Sequence, residues 1–378
     1  MVQTHRYGCG ESLPRMIISA HSAVIDGELR SNVWIDIQDG VIAEIGEGSN
    51  SASARTYSQT LIPGFVDIHC HGGGGYYFTD ATPQNVQQAI DTHRGAGTTS
   101  QIASLVTTDI QTLTSQIKAL IPFVRNGSLV GIHLEGPYLS HAKCGAHDPA
   151  LLRAPALDEV KALIAAGEGT IRMVTIAPEL EGALDAIKWL VSEGVIAAIG
   201  HSDADADTAR AAIEAGAQVV THFTNAMAKM VGGESMATEV LGAPEIALEL
   251  INDGTHVPAD VVATIMKNAL DRTILITDAM SAAGSHDGKY LIGNLEVEVK
   301  DSLARLVSNG ALAGSTLTME QAFTNFINKD GVNLIDAVHA SSTLAAEVLG
   351  LKDVGSISVG KKANILAFDG KKIELLTF

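Results

Sequence analysis

Cysteine is scarce in this chain: three in 378 residues, at Cys9, Cys70 and Cys144. They are too few and too scattered for a disulfide framework, so a reducing compartment is the simpler expectation. Long apolar runs are missing as well. No stretch approaches about 18 uninterrupted apolar residues, and MVQTHRYGCGESLPR at the start has no run of the signal-peptide kind. No membrane association is expected, and the expected location is the cytoplasm. Positive charge is in short supply, with 25 Lys and Arg against 43 Asp and Glu, a formal net charge of -18. That balance argues against nucleic acid or an anionic membrane as the main partner. It does not exclude an anionic small molecule, because a local site can be positive within a negative protein. Aromatic residues make up only 4% while glycine is abundant at 37, which fits many short turns joining strands to Ala-rich helices.

What is present is organised around LIPGFVDIHCHGGGG, residues 61–75. Its apolar start predicts a buried strand that delivers His69 and His71 and then breaks at four glycines. Side chains alternate along a strand, so His69 and His71 share one face and Cys70 takes the other, towards packing. Two imidazoles at a strand's C-terminal end suit a metal site at a barrel mouth, or a polar pocket that satisfies both by hydrogen bonds. Before this stretch, Asp26-Gly27 and Asp39-Gly40 separate β-rich runs and predict hairpins in a small all-β unit. After it, apolar strand candidates at 98–104, 129–135, 171–177, 195–200, 218–223, 246–253 and 273–279 alternate with helical patterns. With the opening stretch that makes eight units, the pattern of a (β/α)8 TIM-type barrel. The expected division is 1–60 for the first part of a small β-sandwich domain and 61–345 for the barrel. A β insertion is expected at about 288–314, and 346–378 should complete the small domain.

In such a barrel the C-terminal ends of the strands meet on one rim. Those ends carry His69 and His71, Ser104, Glu135, Pro178–Glu179, His201, His222, Asn252–Asp253 with His256 just beyond, and Asp278. Singly, each has an ordinary reading: Glu135 as a cap or ion pair, His201 and His222 as core histidines, Asp278 as a turn former. Together, Glu135, His201 and His222 form a carboxylate-plus-two-imidazole set that leaves a fourth position open, as catalytic zinc requires. His69 and His71 could hold a second ion, with Glu135 or a hydroxide bridging. Asp278 is then the natural general base and acid, since a metal lowers the pKa of bound water towards roughly 7.

Eight motifs are similar to those of the amidohydrolase superfamily, and within it of the N-acetylglucosamine-6-phosphate deacetylases. They are PGFVDIHCHG (63–72), HLEGPY (133–138), KCGAHDP (143–149), IGHS (199–202), THFTNAM (221–227), NDGTHV (252–257), ITDAM (276–280) and LAGSTLTM (312–319). The resemblance runs from about residue 16 to the end. It implies Glu135, His201 and His222 as main metal ligands, His69 and His71 as the second-metal pair, and Asp278 as the catalytic aspartate. It further implies His147 against the sugar, Asn225 and the Ala226 N–H on phosphate, His256 beside the substrate, and a homodimer. The implied cofactor is a divalent metal, zinc first and iron or another ion second, in one or two copies. One departure stands out: the arginine that the family places near Gly233 is missing. Lys229 or Lys143 would have to replace it, as point charges rather than a bidentate fork. Cys144, in the loop over the site, is either a ligand-contacting thiol or an ordinary loop cysteine. The implied activity is hydrolysis of the acetamide of N-acetylglucosamine 6-phosphate. Its rivals are the same reaction on N-acetylgalactosamine 6-phosphate or on an unphosphorylated amino sugar, and, from another class, a catalytically silent ligand-binding barrel.

Overall fold

The computed structural model describes residues 15–228 and 235–378, and four strands come first: β1 (Met16–Ile25), β2 (Glu28–Gln38), β3 (Val41–Glu47) and β4 (Arg55–Pro63). The two Asp-Gly pairs do make the hairpins. Asp26 and Gly27, like Asp39 and Gly40, take positive φ, the left-handed geometry that tight two-residue hairpins need. The run LIPGFVDIHC, expected as one strand, is two. β4 ends at Pro63 and belongs to the terminal sheet; after Gly64 the chain re-forms as β5 (Phe65–Asp67), the first barrel strand. Gly64 makes the exchange possible, since a Cβ there would lie 2.2 Å from Thr99 Oγ1. The small β unit therefore reaches Pro63 rather than residue 60.

A glycine hairpin follows, β6 (Gly72–Gly73) with β7 (Tyr76–Tyr77). The rest of the barrel comprises β8 (Thr98–Val106), β9 (Gly131–Glu135), β10 (Ile171–Ile176), β11 (Ile196–Ile199), β12 (Val219–Val220), β13 (Ala247–Ile251) and β14 (Thr273–Ile276). These strands and β5 form one eight-stranded sheet whose ladders are all parallel and run in chain order. The seam between first and last strands is closed by Asp278 N–H to the His69 carbonyl (2.8 Å), His71 N–H to the Ala279 carbonyl (2.9 Å) and Thr277 Oγ1 to Asp67 (2.6 Å). A helix follows each strand, from α1 (Pro83–Gly95) to α8 (Met319–Asn328). Helix α2 (Ile110–Arg125) shows why: Asp109 caps it, and Leu113, Ile117, Leu120 and Ile121 lay one apolar stripe against the sheet.

Between Thr273–Ile276 and α8 the expected insertion is a three-stranded antiparallel sheet, β15 (Gly288–Ile292), β16 (Leu295–Lys300) and β17 (Leu303–Leu306). Its own small core of Ile292, Val297, Val299 and Leu306 packs on Met280 at the barrel rim. Strands β18 (Ile365–Phe368) and β19 (Ile373–Leu375) then join the terminal sheet, in the order β19-β18-β4-β1-β2-β3. Residues 360–363 hydrogen-bond the free edge of β3, so the sheet curls around Ile18, Val33, Ile35 and Ile365. No described helix is long and apolar enough to cross a membrane.

Candidate active site

Glu135, the last residue of β9, is buried at the centre of a ring of imidazoles. Its Oε1 lies 2.9 Å from His222 Nε2 and 3.2 Å from His201 Nε2; its Oε2 lies 3.1 Å from His71 Nε2 and 3.4 Å from His147 Nε2. The ring nitrogens also crowd each other, with His201 and His222 Nε2 atoms 3.0 Å apart and those of His69 and His71 3.1 Å apart. Asp278 completes the second pair, its Oδ1 3.3 Å from His71 Nε2 and 3.5 Å from His69 Nε2. Sequence positions spread over more than 200 residues thus meet at one rim. The strands stop short of them: His69, His201, His222 and Asp278 all follow a strand's last residue. His201, His222 and Asp278 have φ of 47°, 29° and 46°, strained values for non-glycine residues that gather here at one site.

For His201, His71 and His69 the far nitrogen tells what the near one can do. His201 Nδ1 lies 2.8 Å from the Lys143 carbonyl, and His71 Nδ1 lies 3.2 Å from the Ser104 carbonyl. A carbonyl only accepts, so Nδ1 carries the hydrogen and Nε2 of a neutral ring presents a lone pair. His69 Nδ1 faces Glu249 Oε2 at 2.9 Å, to the same effect. Lone pairs 3 Å apart repel unless a cation or a proton lies between them. Imidazoles held from behind and converging in front are the arrangement of metal-ligating histidines, and the mixed nitrogen and carboxylate donor set fits a divalent ion. His147 is the exception. Its Nδ1 accepts the Thr107 N–H at 3.3 Å, which leaves the hydrogen on Nε2 and makes that face a donor.

Burial would lower His71, but Asp278 and Glu135 outweigh it and push its pKa up to about 9. Burial would raise Asp278, yet His69 and His71 hold it down at about 2. His201 is pushed down to about 4, chiefly by burial. Beneath this layer His133 is wholly buried between Ser104 Oγ (3.0 Å) and Thr175 Oγ1 (2.8 Å), a structural position.

The site opens into a cavity of about 380 Å³, within the size range of small-molecule sites. His71, Glu135, His147, His201, His222, Asn225, Ala226, His256 and Asp278 all line it, and so does Lys143. His256 is steered by Asp253, whose Oδ2 lies 2.6 Å from Nδ1. Lys143 Nζ is 3.2 Å from Asp203 Oδ1. The insertion supplies the far wall with Ile292, Ala311, Leu312 and Gly314. Cys144, offered above as either a ligand-contacting thiol or an ordinary loop cysteine, is half-buried and is not among the cavity's lining residues, although Lys143 and Gly145 on either side of it are. Lys229 and Gly233 lie outside the described residues. Asn252 is taken up structurally, by Asp330 and Asn325. Two contributors escaped the sequence reading, Glu249 and Thr107. For Glu249 there was a signal, an acid in the middle of the apolar strand IALELI; Thr107 offered none.

A parallel eight-stranded barrel with imidazoles and carboxylates converging at its C-terminal rim is the architecture of a metallohydrolase. The amidohydrolase family model matches residues 60–378, and this chain belongs to that family; it is a hydrolase acting on carbon–nitrogen bonds. It is 36% identical to an N-acetylgalactosamine-6-phosphate deacetylase of Escherichia coli O157:H7, over 89% of this chain and 92% of the relative. It is 34% identical to an N-acetylglucosamine-6-phosphate deacetylase of Vibrio furnissii, over 81% of this chain and 78% of the relative. Among solved structures, N-acetyl-D-glucosamine-6-phosphate deacetylase from Mycobacterium smegmatis, in one case a mutant in complex with N-acetyl-D-glucosamine 6-phosphate, superposes with a TM-score of 0.92 at 38% identity. That match covers 96% of this chain and 97% of the other.

Proposed function

We propose that this chain removes acetate from N-acetylglucosamine 6-phosphate, releasing glucosamine 6-phosphate. The observation that carries the reading is the convergence of Glu135, His201 and His222, with Asp278 beside them, on the floor of a cavity sized for one sugar. The names of its relatives supply the substrate class.

Glu135, His201 and His222 would hold a divalent ion, and His69 and His71 a second one with Glu135 between the pairs. Such an ion polarises an amide carbonyl and makes water acidic enough to yield hydroxide near neutral pH. The chain's own groups do the rest. Asp278, ionised and facing the cavity, accepts the proton of the attacking water on its carboxylate and returns it to the nitrogen as the C–N bond breaks. His147 offers its Nε2–H to an oxygen of the sugar. Asn225 and the Ala226 N–H would meet the phosphate. Lys143 is the only Lys or Arg among the described lining residues, which makes it a candidate to supply the positive charge that the missing arginine would have given. We further propose zinc as the ion, from the imidazole and carboxylate donors; a homodimer, in which the partner chain completes the phosphate contacts; and a cytoplasmic location, from the three scattered cysteines.

Release of primary amine from N-acetylglucosamine 6-phosphate, from its galacto epimer and from unphosphorylated N-acetylglucosamine tests the reading. The expected result is highest kcat/KM on the gluco phosphate. The 36% match to a galacto-named relative makes the epimer the second reading, and higher kcat/KM there would establish it. Equal rates with and without phosphate would remove the phosphate from the substrate definition.

A further inference from the structure

The two halves of the site are tied together by a residue that faces neither the cavity nor solvent. Glu249 sits in the middle of β13, wholly buried in an otherwise apolar strand. A carboxylate in a barrel interior is costly unless its oxygens are used. One is used twice: Oε2 accepts His69 Nδ1–H at 2.9 Å and the His222 main-chain N–H at 3.0 Å. The same residue's main-chain carbonyl accepts Phe223 N–H at 2.8 Å. His222 is therefore gripped on both sides of its strained backbone, while the His69 ring, stacked 5.6 Å from that of His222, is held with Nε2 forward. His69 belongs to one ligand pair and His222 to the other. Glu249 Oε1 and His222 Nδ1 are both buried and have no hydrogen-bond partner within the described residues.

We propose that Glu249 is a positioning residue of the metal centre, one carboxylate that fixes His69 by its ring and His222 by its main chain and so sets the spacing of the two ligand pairs. The proposal rests on the metal reading above. It assigns Glu249 no contact with substrate. Carboxylates behind metal-bound imidazoles typically matter by about 10–100-fold in metal affinity, and here one group stands behind two ligands at once.

Zinc alone is the probe. Competition with a chelator of known affinity gives the zinc dissociation constant of the unaltered chain and of Glu249→Gln, with melting temperatures recorded for zinc-free and zinc-loaded forms. The expected result is zinc binding weakened by about 10–100-fold in Glu249→Gln, with a smaller gap between the two melting temperatures. A purely structural role would lower both melting temperatures alike and leave zinc affinity unchanged, and that result overturns the proposal. Should Glu249→Gln fail to fold, Glu249→Asp, which keeps the charge and withdraws the oxygens by one methylene, serves in its place. Unchanged zinc affinity there is equally fatal. If the unaltered chain itself retains no divalent ion, the metal reading falls, and this proposal with it; a zinc-binding parent with an equally zinc-binding variant sinks the proposal alone.

Discussion

The peptide of Cys70 separates two clusters of similar composition and opposite character. On its inner side stand His69, His71 and Asp278; on its outer side Asp67, Cys70 and His93, whose ligand atoms also lie within 4.8 Å of one another. In the outer cluster the groups that face one another already have donors and acceptors paired, although His93 Nδ1, on the far side of its ring, is buried without a partner among the described residues. His93 Nε2 donates to the Gly72 carbonyl at 2.8 Å, and Asp67 accepts from Thr277 Oγ1 and from the main-chain N–H groups of Thr277 and His69. Gln101 Nε2 donates to Cys70 Sγ at 3.1 Å, and burial pushes that thiol up to about 12, leaving it protonated. In the inner cluster the Nδ1 hydrogens point outward to Ser104 and Glu249, and the Nε2 atoms face each other. Residue types do not distinguish the two clusters. The partner behind each ring does.

The largest effect should come from the inner side. Asp278→Asn keeps the size and loses the base; turnover should fall by about 10²–10⁴-fold while bound metal, measured by elemental analysis, stays in place. Undiminished turnover would end its role as base and acid. Next comes ligand loss. With free zinc at about 100 times its dissociation constant, the unaltered chain should gain about 2.7 kcal/mol in unfolding free energy, and His201→Ala should gain far less. A gain of equal size in both would show that the ion binds elsewhere. His93→Ala sharpens the contrast: it should cost about 1–3 kcal/mol in chemical denaturation, by orphaning the Gly72 carbonyl, with zinc stoichiometry unaltered. The smallest effect is on pH. Ligands must be deprotonated to bind, and His71 is held protonated up to about pH 9 by its carboxylate neighbours, so zinc affinity should rise with pH towards that value and binding should release protons. Calorimetry in buffers of different ionisation enthalpy reads the proton count, and a count of zero would contradict it.

Much of this was legible in the sequence because barrel geometry turns strand ends into neighbours. His69, His71, Glu135, His201, His222 and Asp278 each follow or end an apolar run, and no pairwise contact need be guessed to gather them. What was not legible depends on contacts made across the chain. The strand break at Gly64 hides in a continuous apolar run, since Leu61-Ile62 and Phe65-Val66 are equally buried but in different sheets. The tautomer of His201 is set by the carbonyl of Lys143, which no side-chain pattern reveals. That His147 is a donor depends on the N–H of Thr107, 40 residues earlier. The position of Cys144 is likewise a matter of how its loop turns, and the motif around it says only that the loop is near.

One measurement bears on the central contrast most directly: divalent metal per chain, by elemental analysis after dialysis, for the unaltered protein, His201→Ala and His93→Ala side by side. A metal centre on the inner side of Cys70, with Glu135, His201 and His222 beside His69, His71 and Asp278, predicts that His201→Ala loses metal and His93→Ala keeps all of it. Metal lost from His93→Ala and retained by His201→Ala would place the ion on the outer side of Cys70 and contradict the account.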